Sequence, residues 1–296
     1  MQDKPDNAVL IIGCGDVGRR VAVLLQATRH RLTCVVRSRE SLNELQAAGF
    51  EARCVDLDVD DSSGKLASGY AEIYYFAPPP PAGEMDTRMK RFLQGLQRDT
   101  PPRRIVYIST SAVYGDCQGV WITEDQPLNP ATARGRRRLD AERQLTTWCN
   151  ENGCEWMLLR VPGIYGPGKL PLERLRQGLP VLREEDAPYT NRIHVDDLAT
   201  ICMAAMSSSR SNTVYNVSDG HPSNMTDYFF RVADAAGLPR PPEVSRDEAR
   251  RVLSPGMMSF LNDSRRMDNS RLLRELEISL QYPDLDAGLA ACFEST

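Results

Sequence analysis

The segment Ala8-Val9-Leu10-Ile11-Ile12-Gly13-Cys14-Gly15-Asp16-Val17-Gly18 leaves this chain few folds to choose from. Five apolar residues read as a buried strand, glycines follow in the spacing Gly-x-Gly-x-x-Gly, and a helical pattern then runs over 16–29. In a strand–turn–helix unit each glycine has a steric reason. Gly13 makes the tight turn, Gly15 lets the backbone approach a pyrophosphate, and Gly18 lets the helix lie close on the strand. The N–H groups of Asp16 and Val17, at the positive end of the helix dipole, then face the phosphates. The spacing alone is weak evidence, because glycine-rich turns are common. The strand before it and the helix after it supply the context that a dinucleotide site requires.

Strand and helix patterns keep alternating after this unit. Strands read at 32–36, 51–55, 71–76 and 104–109, and helices at 42–48, 83–98 and 130–150. The 83–98 helix aligns Met85, Met89, Phe92, Leu93 and Leu96 on one face, and the 130–150 helix buries Leu139, Leu145 and Trp148. Such alternation predicts an α/β fold with a doubly wound parallel sheet (Rossmann fold) and right-handed crossovers. A strand at 155–161 precedes a turn-rich boundary at 162–168. Beyond it the pattern is less regular: a helix at 170–177, a segment 192–198 entering a helix that ends near Ser207, a strand at 213–217, and helices at 225–236 and 268–276.

The carboxyl ends of these strands carry the candidate ligand residues. The second strand ends in Arg37-Ser38-Arg39, two cations and a hydroxyl where an acidic residue would favour NAD. These residues suit a 2′-phosphate, so NADP is the expected cofactor. Glu40 keeps NAD open, and solvated loop charges would explain Arg37 and Arg39 equally simply. Asp56, just after the third strand, is placed to touch the adenine amino group, with an N-cap or a solvated loop position as the alternative. Ala77 and Pro78 begin a stiff proline loop after the fourth strand. Thr110 and Ser111 gather hydroxyls after the fifth. Arg134, Arg136, Arg137 and Arg138 open the 130–150 helix, either as a solvated face or beside the cofactor.

Composition narrows the partners. A net charge of −4 argues against a general binder of nucleic acid or membrane surfaces. No apolar run reaches the roughly 18–20 residues that span a bilayer. Met1 to Asn7 are polar and resemble no signal peptide. Eight cysteines without a CxxC pair indicate neither a zinc site nor a disulfide framework, so no metal and a reducing, cytoplasmic setting are expected. Cys14 reads as a space-filler in the glycine loop.

Four segments taken together resemble the NAD(P)-dependent epimerase/dehydratase family of extended short-chain dehydrogenases/reductases. They are the glycine loop, Tyr107-Ile108-Ser109-Thr110-Ser111-Ala112-Val113-Tyr114-Gly115, Arg160-Val161-Pro162-Gly163-Ile164-Tyr165-Gly166-Pro167-Gly168, and Arg192-Ile193-His194-Val195-Asp196-Asp197-Leu198-Ala199. The tail, with Asn269-Ser270-Arg271-Leu272 and Gln281-Tyr282-Pro283, looks like the atypical YeeZ-like branch. The resemblance implies a dinucleotide-binding domain over 8–165, to which 192–217 returns, and a smaller mixed α/β substrate-side domain over 166–191 and 218–296. It also implies a Tyr-x-x-x-Lys pair on the helix after the fifth strand. The Tyr would be the base, and the Lys would lower its pKa and hold the nicotinamide ribose. Here Arg134 replaces the Tyr and Arg138 the Lys, and 129–147 contains no Tyr. An arginine stays charged and is no ordinary base. Arg138 retains the ability to bond ribose hydroxyls.

Thr110 stands where the family places the Ser or Thr that binds the substrate oxygen, with Ser111 beside it. Ser111-Ala112 stand in place of the Asp-Glu pair of the dehydratases, which argues against sugar dehydration. Tyr165 is a further catalytic candidate, although the family uses its segment mostly for structure. Arg192 is a candidate anchor for an anion or nucleotide-sugar, Arg134 a second substrate contact, and His194 a residue tying loops together. The implied function is an oxidoreductase or epimerase acting on a small or nucleotide-linked substrate. A cofactor-binding sensor or scaffold without turnover is the alternative that the missing Tyr favours. A homodimer through helices like 83–98 and 130–150 is also implied, though core packing would give the same pattern.

Overall fold

The computed structural model describes residues 8–28, 30–59 and 69–294. The polar lead from Met1 to Asn7 and Arg29, the expected end of the first helix, lie outside the described residues. By its internal contacts the chain divides into two compact units. Unit 1 comprises Met1–Val113, Ala133–Arg160 and Leu198–Tyr215; unit 2 comprises Tyr114–Thr132, Val161–Asp197 and Asn216–Thr296.

In unit 1 the apolar runs become one sheet. Its strands are β1 (Ala8–Ile12), β2 (Arg31–Val36), β3 (Glu51–Cys54), β4 (Glu72–Tyr75), β5 (Arg104–Thr110), β7 (Glu155–Val161) and β12 (Thr213–Asn216). Their order is β12-β7-β5-β4-β1-β2-β3. β1 lies parallel to both β2 and β4, so the winding reverses between β1 and β4. β2–β3 and β4–β5 are parallel as well. This is the doubly wound sheet, and the gap between the carboxyl ends of β1 and β4 is its topological switch point. All five residues of β1 are buried, as a central parallel strand requires.

The helices of unit 1 are α1 (Asp16–Gln26), α2 (Arg39–Ala47), α3 (Thr87–Gln94), α4 (Ala133–Asn152) and most of α6 (Val195–Ser207). Alternation along the strands sends successive side chains to opposite faces. Tyr75 joins Phe92, Leu145 and Trp148 in the layer beneath α3 and α4. Tyr74 points the other way, its hydroxyl 3.4 Å from Met203 Sδ on α6. Arg104, 2% exposed, donates to the carbonyls of Ala205, Met206, Ser208 and Arg210 and so closes the carboxyl end of α6.

The expected helix over 83–98 is shorter, because Asp86 caps α3 by accepting from Met89 N. Met85 therefore lies outside the helix and is exposed, a correction to the face expected for it. The charge run that opens α4 is divided: Arg134 and Arg136 are exposed, Arg137 is buried and Arg138 partly buried.

Unit 2 is built from short paired strands and helices. β6 (Trp121–Ile122) pairs with β15 (Arg266–Met267), β8 (Gly163–Tyr165) with β11 (Arg192–His194), β9 (Val181–Leu182) with β14 (Glu243–Val244), and β10 (Tyr189–Thr190) with β13 (Ser223–Asn224). The helices are α5 (Leu172–Arg176), α7 (Met225–Ala235), α8 (Arg246–Val252), α9 (Pro255–Phe260), α10 (Ser270–Leu276) and α11 (Leu285–Glu294). Tyr165, Val181, Phe229, Val232, Leu285 and Leu289 form its main apolar cluster.

Three of these helices, α8, α9 and α11, and the strand inside the expected boundary at 162–168 are absent from the sequence reading. Their cues are local caps on short segments: Ser245 and Glu248 form a capping box on α8, and Ser254 with Pro255 opens α9. No helix of the described residues is long and apolar enough to cross a membrane. The eight cysteines are free.

Candidate functional site

The glycine loop sits at the switch point of unit 1. Gly13 has φ +82°, and a Cβ there would lie 2.5 Å from Ala77 N, so the turn and the proline loop after β4 touch through backbone. A Cβ on Gly18 would come within 3.2 Å of Gly13 O and Ile11 Cγ2, which keeps α1 close on β1. Gly15 differs from both: a Cβ there would enter open space. Gly15 is also the N-cap of α1 and supplies no side-chain cap to the first N–H groups of the helix. Asp16 is exposed and lies 3.4 Å from Arg20 of its own helix. Val17 is half-buried.

Along the neighbouring strand ends, charges are paired in an order the sequence did not suggest. Arg37 is exposed at the end of β2, and Ser38 caps α2 by accepting from Ser41 N. Asp56 folds back to accept from Asp58 N at 2.9 Å. Asp58 is gripped by buried Arg88 through Nε at 2.7 Å and Nη2 at 2.5 Å. Nη1 of Arg88 donates to the carbonyls of Pro78 at 3.0 Å and Pro79 at 3.3 Å. Arg88, with Arg37 and Arg91 nearby, holds the Asp58 carboxyl below its ordinary range. The residues after β3 and the proline loop after β4 are thus tied to α3 by one guanidinium.

The end of β5 and the first turns of α4 meet over a second polar cluster. Thr110 accepts from Ala112 N at 3.3 Å, and Ser111 is buried at the start of a single 3-10 turn. Arg138 donates through Nη1 to Tyr107 Oη at 3.1 Å and to Ile108 O at 3.0 Å. Burial pushes the Tyr107 hydroxyl up to about 12, against the pull of Arg138. One turn further along α4, Glu142 accepts from Ser109 Oγ at 2.5 Å and from Arg160 Nη2 at 2.9 Å, all three fully buried. Arg137 reaches back to Gly83 O, and Arg136 pairs with Glu84.

Two of the predicted residues lie in unit 2. Tyr165 has no exposed surface; its hydroxyl donates to Asp284 O at 3.1 Å and its ring fills the space beside Gly288. Burial raises its pKa well above the ordinary phenol value, so it is built as a packed residue. His194 is likewise buried, between the rings of Tyr165 and Tyr282, and its Nδ1 lies 3.3 Å from Asp196 N. Asp197 accepts from the backbone N–H groups of Gln281 and Tyr282, which anchors the tail. Arg192 is buried with its guanidinium 3.8 Å over the Tyr228 ring.

Sequence reasoning missed Arg88 with Asp58, Tyr107 under Arg138, and the Ser109–Glu142–Arg160 cluster. Ser109 and Arg160 stood inside matched motifs and Glu142 in neither, and nothing in one chain's spacing pairs residues eighteen positions apart. Among the described residues no group of three or more His, Cys, Asp or Glu is placed to hold a metal ion.

A doubly wound sheet with a glycine loop at its switch point defines the class of dinucleotide-fold proteins. The family model of the NAD dependent epimerase/dehydratase family matches residues 9–218, and the chain belongs to that family. "Protein YeeZ" of Escherichia coli (strain K12) is 26% identical over 287 residues, covering 93% of this chain and 96% of its own. A solved structure of a functionally unknown conserved protein from Silicibacter pomeroyi is 29% identical, with TM-score 0.81, over 98% of this chain and 99% of its own. The UDP-glucuronic acid 4-epimerase from Bacillus cereus, solved with UDP-glucuronic acid and NAD, superimposes with TM-score 0.78 over 97% of this chain and 98% of its own. At 17% identity that likeness is one of fold.

Proposed function

We propose that this chain is an NAD(P)-dependent oxidoreductase or epimerase acting on a small or nucleotide-linked substrate, with arginines at the positions of the family's Tyr and Lys. The observation that carries the reading is Gly15, whose missing side chain leaves open space beside the uncapped N-terminus of α1. A pyrophosphate fits that space: no Cβ blocks it and helix N–H groups border it. Gly13, Gly15, Asp16, Val17 and Gly18 would hold the diphosphate, Ala77 and Pro78 would wall the site, and Asp56 would border the adenine. When bound, the nicotinamide supplies hydride chemistry.

The exposed Arg37, with Ser38 and Arg39 at the start of α2, supports NADP over NAD, since these groups suit a 2′-phosphate. Thr110 would bind the substrate oxygen, with Ser111 beside it. Arg138, oriented by Tyr107 and Ile108, would bond ribose hydroxyls in place of the lysine. Arg134 would bring positive charge where the family has a phenol, so it would bind an anionic part of the substrate and would not accept a proton. The proposal includes a homodimer along the outer faces of α3 and α4, where Lys90, Gln94, Arg143 and Thr147 border an open groove.

Fluorescence titration with NADPH and NADH tests the reading. Gly15→Val should weaken both by about 100-fold or more, because its side chain would enter the phosphate space. Arg37→Asp should weaken NADPH by about ten-fold or more and leave NADH nearly unchanged. Equal losses for the two nucleotides would remove Arg37 from the 2′-phosphate, and undiminished binding to Gly15→Val would remove the site.

A further inference from the structure

Arg192 is a costly residue to bury as unit 2 buries it. It is 9% exposed, and Nη1 donates to Asn191 O at 3.0 Å. Its Nε is buried without a hydrogen-bond partner. The guanidinium carbon lies 3.8 Å from the centroid of the Tyr228 ring, and Gly163 leaves room for it: a Cβ there would be 3.3 Å from Nη1. Burial lowers the pKa of Arg192, and the charges of Tyr228, Asp219 and Asp227 offset this only in part.

Asp219 is the second member. It follows Arg192 closely in space, its N–H donating to Arg192 O at 2.8 Å. It is 5% exposed; Oδ1 accepts from His221 N, and Oδ2 is buried without a partner. A buried guanidinium edge and a buried carboxyl oxygen, both unsatisfied, are expected where a ligand completes the bonding.

We propose that Arg192, Tyr228 and Asp219 form a site for an oxyanion, carboxylate or phosphate, that carries a hydroxyl group beside it. The free edge of Arg192 takes the oxyanion, the Tyr228 ring holds the guanidinium plane, and Asp219 bonds the hydroxyl. The site deepens the substrate class of the reading above and rests on that reading only for the reaction, because all its residues belong to unit 2.

Asp219 also makes the site sensitive to pH. Burial pushes its carboxyl up to about 6, partly offset by His221 and Arg192, while Asp284 adds to the rise; Tyr165 faces it as well. Below that pH the carboxyl is neutral and no longer repels an anion. His221 faces the same carboxyl, and the Asp219→Asn variant isolates the part that Asp219 plays.

The test is calorimetric titration of the full chain, without dinucleotide, using D-glycerate, glycerol 3-phosphate and glycerol. Either anion should bind and glycerol should not; the stronger of the two identifies the oxyanion. Arg192→Met should weaken the anion at least ten-fold while melting no lower than wild type at pH 5, where Asp219 is neutral and the variant removes a buried charge. Asp219→Asn should bind D-glycerate about three-fold or more tightly than wild type at pH 7.5. It should also lose the strengthening that wild type gains between pH 7.5 and 5, a range over which D-glycerate stays ionised. Silence of both anions, equal affinity in Arg192→Met, or a fall of several degrees in its melting temperature would each overturn the site. A failed NADPH titration beside a positive D-glycerate titration would sink the dinucleotide reading and leave this one standing.

Discussion

Unit 1 buries Leu10, Ile12, Ile73, Tyr75 and Ile105 in one layer drawn from four-to-seven-residue strands, and β-ladder bonds satisfy its backbone. In unit 2 each paired strand is two or three residues long, too short for a ladder to hold it. Side chains bond the backbone there instead. Asn216, fully buried, donates to Ile122 O and Asp268 O and accepts from Tyr114 Oη at 2.6 Å. Asn191 joins Arg265 O to Met267 N, and Asn269 holds Ser218 O. The lesson is that apolar periodicity organises one unit and polar stitching the other.

Leu10→Ala, in the centre of the unit 1 sheet, should have the largest effect, costing about 3–5 kcal/mol in urea unfolding. Asn216→Ala should cost about 2–3 kcal/mol, because the Tyr114 hydroxyl and two carbonyls lose their partner. Hydrogen exchange should place that loss at residues 114–122 and 266–269. A cost under about 1 kcal/mol at Asn216 would break the comparison, since polar stitching would then be incidental.

The smallest effect sharpens it. The native Asp219 carboxyl titrates near 6, above its unfolded value near 3.9, so the folded state holds its proton more tightly. Its contribution is fully present below about pH 4 and is lost as pH rises through 6. Asp219→Asn should therefore exceed wild type by at most about 3 kcal/mol at pH 7.5, less whatever its buried amide leaves unsatisfied, and converge with it near pH 4. A difference that stays constant with pH would mean that Asp219 is not buried as described.

Legibility follows the same division. The strands at 104–109 and 155–161 and the helix 130–150 were readable because a full apolar face repeats along them. The short strands of unit 2 carry no period. Asn269 and Gln281 were quoted only as tail motifs. Their work, in the bond to Ser218 O and the bond from Gln281 N to Asp197, depends on partners 51 and 84 positions away. Met85 fitted a helical face on paper, yet the Asp86 cap starts the helix after it.

By itself the sequence determined the doubly wound sheet and the glycine loop with its place after β1, because residue type and local spacing carry both. Only the tertiary structure decided which charges meet. Arg88 grips Asp58 and the proline loop, Arg138 donates to Tyr107, and Arg192 stands over Tyr228 with its Nε unpartnered. A buried charge is defined by what surrounds it in space, and chain order does not contain that distance.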